Sequence, residues 1–302
     1  MAATATQGVD VSLISSNAQT PQTSVPLDTH YYLTEGLEGI ERQQYRSTRS
    51  FSKAIDKLKD EFRSGNSSAR QYLVFVSVTQ EQLEKIHHLR ETRLKGLGTM
   101  YLKNEEVLIV KIIPSCIQEM IHLGFGSMLY LKTIEMGLKW GLDPMGRTTF
   151  EGILGQKEAD STFEPSVRQT ASHWPTVVFE CGLAESIERL RVDCRWWLEN
   201  STEVNIALLF SFSRADRGIH IEQWEMLTVP NSQYTGSHAD PLTKDVTKTY
   251  EIDIVAGVAS GGPLTLDFQK VFLRPPVLGE GDIIFSVEEL RKYFTHISAR
   301  AQ

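Results

Sequence analysis

Cysteine is scarce in this chain. Three occur in 302 residues, Cys116, Cys181 and Cys194, none at CxxC spacing and each set among apolar neighbours. That pattern supplies neither a disulfide framework nor a four-ligand zinc site, so reduced, buried thiols are expected. A reducing compartment, cytoplasm or nucleus, follows as an expectation. Long apolar runs are missing too: nothing approaches the ~20 residues of a membrane helix, and no membrane partner is expected. The first 30 residues carry no Lys or Arg, which removes the basic start of a signal peptide and the arginines of a transit peptide. GxxxxGK[ST], GxGxxG, HExxH and GxSxG are all absent. A phosphate cradle, a zinc-protease helix and a nucleophile elbow therefore have no foothold. The histidines, His87-His88 included, lack metal-ligand spacing, and the five tryptophans read as core residues.

What is present is ordinary soluble composition, 41% apolar and 23% charged, with 31 Lys+Arg against 38 Asp+Glu for a net charge of −7. That suits an ordinary globular chain and excludes collagen, coiled coil and wholesale disorder. Residues 1–29 are rich in Ala, Thr, Ser, Gln and Pro, too poor in apolar surface to offset their ordering entropy, and read as a disordered tail. Residues 41–70 hold eight basic and four acidic side chains, which reads more simply as a solvated helix face than as a phosphate-contacting surface.

The periodicities give an alternating succession of helices and strands. A helix spans 50–63, broken by Gly65-Asn66-Ser67-Ser68, and strands follow at 72–78 and 106–113 with a helix opened by Thr79 between them. Ser115 caps a helix expected to run to Leu142. A strand at 148–154 is paired with one at 158–163. Pro175–Cys181 is a strand and Glu185–Asn200 a helix. Val204–Ser213 and Gly218–Leu227 form a hairpin around Arg214-Ala215-Asp216-Arg217. Residues 228–249 read as loop, Tyr250–Val255 and Leu264–Phe268 as a hairpin, and Ser286 with Glu289 as the capping box of a last helix.

One stretch carries a chemical pattern. Lys157-Glu158-Ala159-Asp160 puts an acid on one strand, and Trp174-Pro175-Thr176-Val177-Val178-Phe179-Glu180-Cys181-Gly182 puts a second at the end of an otherwise uncharged run. An acid so placed must be solvated, paired or bound to a cation. Pairing of the two strands would bring Asp160 and Glu180 to one edge of the sheet, where two carboxylates suit a hard, oxygen-preferring ion such as Mg²⁺. The helix that follows offers Arg191 and Arg195.

The order of these elements, from Ser115 to Leu227, resembles the PD-(D/E)XK, or restriction-endonuclease-like, superfamily. It is most similar to bacterial nuclease domains in which an acid-bearing strand precedes a PDLVVEV…S strand, here PTVVFECGLAES. Through the KEAD, WPTVVFECG and LRVDCRWWLENS segments it also resembles a group of fungal proteins of unassigned activity. The resemblance implies Asp160 and Glu180 as metal ligands, the main-chain carbonyl of Cys181 as a third, and Mg²⁺ as cofactor. The family's ExK lysine falls at Gly182 and the Asp of its PD at Thr176. Arg195, with Arg191 second, is the basic residue expected in its place, although arginine is a poor proton acceptor. Glu119 reads as a solvated helix carboxylate or a further ligand, Glu185 as a favourable charge at a helix N-terminus, and Asp193 as structural.

The expected fold is therefore α/β, a mixed central sheet flanked by helices. A restriction-endonuclease-like core spans 114–227, an α/β segment at 30–113 packs on it, and a hairpin and helix extension occupies 228–302. The expected activity is metal-dependent hydrolysis of DNA or RNA. The alternative is a degenerate relative serving as a nucleic-acid-binding or protein-interaction module, since fold alone does not decide chemistry. An unrelated interaction domain stands third.

Overall fold

The computed structural model describes residues 28–64, 71–94, 96–112, 116–168, 174–213, 215–231 and 241–300. The tail expected at 1–29 lies outside these except for Asp28, which caps the first helix, and Thr29, which begins that helix and so is not tail. The break at 65–68 and the Ser115 cap also lie outside them.

The chain runs α1 (Thr29–Thr34), β1 (Arg42–Gln44), α2 (Thr48–Arg63), β2 (Tyr72–Val76), α3 (Gln80–Thr92), β3 (Leu97–Leu102), β4 (Val107–Ile112) and α4 (Cys116–Glu135). It continues with β5 (Leu142–Pro144), β6 (Thr149–Glu151), β7 (Gly155–Glu158), β8 (Ser161–Pro165), β9 (Val177–Leu183), α5 (Ile187–Asn200), β10 (Ile206–Ser213) and β11 (Gly218–Pro230). Last come β12 (Leu242–Val255), β13 (Val258–Ser260), β14 (Leu264–Leu266), α6 (Phe268–Phe272), β15 (Ile283–Phe285) and α7 (Val287–Ser298). The architecture is mixed α/β. One sheet has the order β1-β2-β4-β3-β7-β6, a second β13-β12-β11-β10-β9-β8-β5, and β14 and β15 form a small ribbon.

Local chemistry explains the well-read elements. Ser47, Thr79 and Ser286 each accept a hydrogen bond from the third residue of the following helix, and each is answered by a Ser, Gln or Glu side chain bonding back. β9 and β10 are apolar runs buried on both faces, and they pair in parallel through the α5 crossover.

Four expectations are corrected. The long helix stops at Glu135, where Gly137 takes a left-handed conformation (φ 78°), and Leu142 begins β5. The partner of β6 is β7, not 158–163; that span divides between two sheets, β7 ending at Glu158 and β8 starting at Ser161 to pair with β9. Most of the described part of 228–249 is strand: β11 extends to Pro230 and pairs with β12 from Leu242. β12 turns back onto β13, and β14 pairs with β15 instead of with residues 250–255.

The second sheet has a core on each face. Val177, Phe179, Cys181 and Leu183 of β9 pack with α4, α6 and α7, centred on Phe125, Phe210 and Phe285. The other face, with Val178, meets α5 and one face of the first sheet: Met100, Leu102, Val107 and Ile109 beside Leu190, Trp196 and Trp197. Gln71 ties the sheets together, donating to the Ile112 carbonyl (3.1 Å) and accepting from the Leu183 N–H (2.8 Å). Among the described residues no helix is long and apolar enough to cross a membrane. Cys181 and Cys194 are buried free thiols, whereas Cys116 is exposed, contrary to expectation.

Candidate metal centre

β8 and β9 pair antiparallel with Ser161 opposite Phe179. That register sets Asp160, one residue before β8, beside Glu180, and the Asp160 N–H bonds the Phe179 carbonyl. Side chains alternate along β9. Glu180 therefore faces α5 and the first sheet, the opposite face from Phe179 and Cys181.

A single ammonium joins the two acids. Lys111 Nζ lies 2.8 Å from Asp160 Oδ2, 2.7 Å from Glu180 Oε2 and 3.4 Å from the Cys181 carbonyl oxygen. The two carboxylates therefore lie less than 6 Å apart. Asp160 Oδ2 also accepts the Cys181 N–H at 2.8 Å. Glu180 Oε1 accepts from Lys157 Nζ and from the Trp197 indole N–H, both at 2.8 Å. Lys157 reaches on to Asp193 Oδ1 (3.3 Å), which Arg189 Nε approaches at 3.7 Å, and the Tyr72 hydroxyl donates to Asp193 Oδ2 (3.1 Å).

Three acids and three bases thus form one buried network. None of Asp160, Glu180, Asp193, Lys111, Lys157 and Arg189 is more than 4% exposed. The electrostatics are mutual. Burial alone would raise the Asp160 carboxyl, but Lys111, His122 and Arg147 outweigh it and hold it below the usual range. Burial likewise opposes the Lys111 charge, yet Asp160 and Glu180 push its pKa well up. Asp193, also raised by burial, is held down by Lys157 and Arg189. Burial lifts the Cys181 thiol, so its sulfur is no nucleophile at neutral pH.

Two strands of the first sheet deliver the lysines. Lys111 of β4 stands opposite Gly98, and Lys157 of β7 stands opposite Met100, two residues along β3 on the same face. Gly98 lies against the Lys111 stem, and a Cβ there would make ordinary contact with Lys111 Cε at 3.4 Å. The third wall is α5, whose Arg189, Asp193 and Trp197 recur every four residues along one stripe.

A rim adjoins the network on the α4 side. Glu119 accepts from Arg147 (2.5 Å) and His122 (3.0 Å), Arg147 lies 3.7 Å from Asp160 Oδ1, and His122 Nδ1 bonds Ser161 Oγ (2.8 Å). His122 and Arg147 hold the Glu119 carboxyl below its ordinary value. Glu119 is therefore a paired carboxylate beside the centre.

Arg195 is not brought to the acids. Two positions along α5 from both Asp193 and Trp197, it points to the other side of the helix, bonding Glu199 (2.6 Å) and Asp245 (3.1 Å) and lying over the Tyr31 ring. Arg191 pairs with Glu222 and Glu188. At Gly182, two residues after Glu180, a side chain would have to displace its neighbours: a Cβ there would sit 2.8 Å from Leu190 Cδ1 and 3.1 Å from Gln71 Oε1. The space is taken by the inter-sheet clamp, and the ammonium comes instead from the sheet that Gln71 anchors. Sequence reading missed Lys111, Lys157 and the part played by Asp193. The available signal was charge inside apolar runs, Lys111 in VLIVKI and Asp193 between Val192 and Cys194.

The donor set, two carboxylates and a main-chain carbonyl around one cation position, is all oxygen and suits Mg²⁺ or Mn²⁺. No protein-family model matches the chain, and no curated protein matches it. Among solved structures it is similar to one described as a "putative nuclease belonging to DUF820" from Anabaena variabilis. Identity is 6%, the match covers 62% of this chain and 87% of that one, and the TM-score is 0.34.

Proposed function

We propose that this protein is a metal-dependent nuclease whose centre is Asp160, Glu180 and the Cys181 carbonyl, with Lys111 as its basic residue in place of Arg195. The observation that supports the reading most is the convergence of three oxygens from the paired β8 and β9 on one cation position. The residues present fit a hard divalent ion, which when bound would polarise a phosphodiester and lower the pKa of a water.

The protein's own groups have separable tasks. Asp160 and Glu180 hold the ion as carboxylates, and the surrounding cations keep Asp160 ionised. The Trp197 N–H and Lys157 fix the orientation of Glu180 from its other oxygen. Lys111, displaced from the carboxylates, would add its positive charge to the field at the phosphate as negative charge builds there. Arg147 is a second cation at the rim. DNA and RNA are both open as substrates.

A second reading, a scaffold kept for binding nucleic acid or protein without cleavage, is favoured by the burial of the network and its balance of three charges of each sign. Cleavage of plasmid and single-stranded substrates in Mg²⁺ or Mn²⁺ separates the two. Loss in Asp160→Asn and Glu180→Gln supports the nuclease, and an inert but folded wild type supports the binder.

A further inference from the structure

Lys111 Nζ does not sit beside the point where the three oxygens converge; it sits at that point. An ion bound by the same oxygens would need them at about 2.0–2.1 Å for Mg²⁺, and an ammonium and an ion cannot share that volume. We propose that Lys111 is a built-in competitor for the metal: its ammonium holds the centre closed, and a divalent cation enters only as Lys111 withdraws. The inference rests on the nuclease reading and adds a mode of control to it.

Three features carry it. The first is charge. With Lys111, Lys157 and Arg189 matched against Asp160, Glu180 and Asp193, the buried network is already neutral. A divalent ion added at that point would face the ammonium across a water-free gap with the same two carboxylates to share, a repulsion that displacement of the ammonium relieves.

The second is a destination for the side chain. Lys111 borders a cavity of about 10 Å³, room for about one water-sized group, whose walls include Tyr72, Thr99, Lys157, Glu158 and Asp193. Asp193 and Glu158 set two carboxylates against the one ammonium of Lys157 there, with Arg90 also on Glu158, and the flexible four-carbon stem lets the Lys111 ammonium turn toward them.

The third is origin. The oxygens belong to the β8–β9 pair and the ammonium to β4 of the other sheet. Its withdrawal leaves the β8–β9 pairing, the Cys181 N–H bond to Asp160 and the Lys157 and Trp197 bonds to Glu180 in place. A lysine placed two residues after Glu180 would move with the ligands; Lys111 does not.

The test is metal binding by the full chain, read without activity. Mn²⁺ is titrated and the free-ion electron paramagnetic resonance signal followed, and Tb³⁺ luminescence is excited through tryptophan, Trp197 being bonded to Glu180. Lys111→Met is expected to bind Mn²⁺ at least about tenfold tighter than wild type, and its melting temperature should rise with Mn²⁺ far more than that of wild type. Asp160→Asn in the Lys111→Met background should abolish both effects. Should Lys111→Met not fold without metal, Lys111→Gln carries the same comparison. Equal or weaker binding by the variants overturns the competitor and leaves the nuclease reading standing. Absence of binding in wild type and variants alike overturns both.

Discussion

Glu180 is the residue whose loss the network should feel most. It is fully buried, and its two oxygens serve Lys111, Lys157 and the Trp197 indole. Glu180→Gln keeps the shape and removes the charge. Of their carboxylates Lys111 would retain only Asp160 and Lys157 only Asp193, and one ammonium or the indole N–H would face an amide NH₂ instead of an oxygen. Removing one partner of a buried ion pair costs about 3–5 kcal/mol, a large part of the roughly 5–15 kcal/mol that holds a domain folded. At about 2 °C per kcal/mol for a chain of this size, the melting temperature should fall by roughly 6–10 °C. Calorimetry or intrinsic fluorescence at pH 7 without metal measures it. Adding Lys157→Met removes the surplus positive charge, so the double variant should regain part of the loss, a coupling that independent sites would not show. A fall worth less than about 1 kcal/mol, the value of an exposed pair, would refute a network sealed from water.

Gly182→Lys, which restores the family's spacing, should destabilise the protein and confer no gain in cleavage, because its Cβ would strike Leu190 and displace Gln71; overpacking of this kind costs about 1–3 kcal/mol in urea unfolding. A stable variant with raised activity would contradict the assignment of the lysine to Lys111. His220 is held by Glu222, Asp253 and Glu251, with Arg191, Lys248 and Trp224 also on Glu222. Hydrogen bonding to Glu222 first and Asp253 next raises its pKa against burial. A raised folded value adds stability that is complete below the unfolded value of about 6.5 and lost as pH rises through the folded one. The urea midpoint of wild type minus that of His220→Gln should therefore fall from pH 6 to pH 8.5, and a rise across that window would sink the account.

What the sequence discloses follows the range of the interactions involved. β9, α5 and the β10–β11 hairpin are legible because apolar periodicity and local turn chemistry define them. Asp160 and Glu180 are legible as a pair because an antiparallel neighbour fixes their register within 20 residues. Lys111 lies 49 residues from Asp160 and 69 from Glu180, and a lysine in VLIVKI reads as a strand with one charged edge. Its meaning appears only when two sheets pack. Arg195 is the base expected from the helix after Glu180, but α5 turns it about 200° away from the stripe of Asp193 and Trp197. The 228–249 part of the β11–β12 ribbon reads as loop in the sequence because the ribbon is largely solvated beyond Trp224, so its alternation carries few apolar residues.

The central claim is that the oxygens of Asp160, Glu180 and Cys181 form a working metal centre. Nicking of supercoiled plasmid and cleavage of single-stranded substrate, with Mg²⁺, Mn²⁺ or EDTA, test it in wild type, Asp160→Asn and Glu180→Gln, each shown folded by circular dichroism. The account predicts metal-dependent cleavage by wild type that falls at least about a hundredfold in both variants, as expected when a group stabilising the transition state is lost. Cleavage that survives in both, or a folded wild type inert with either metal, would contradict it.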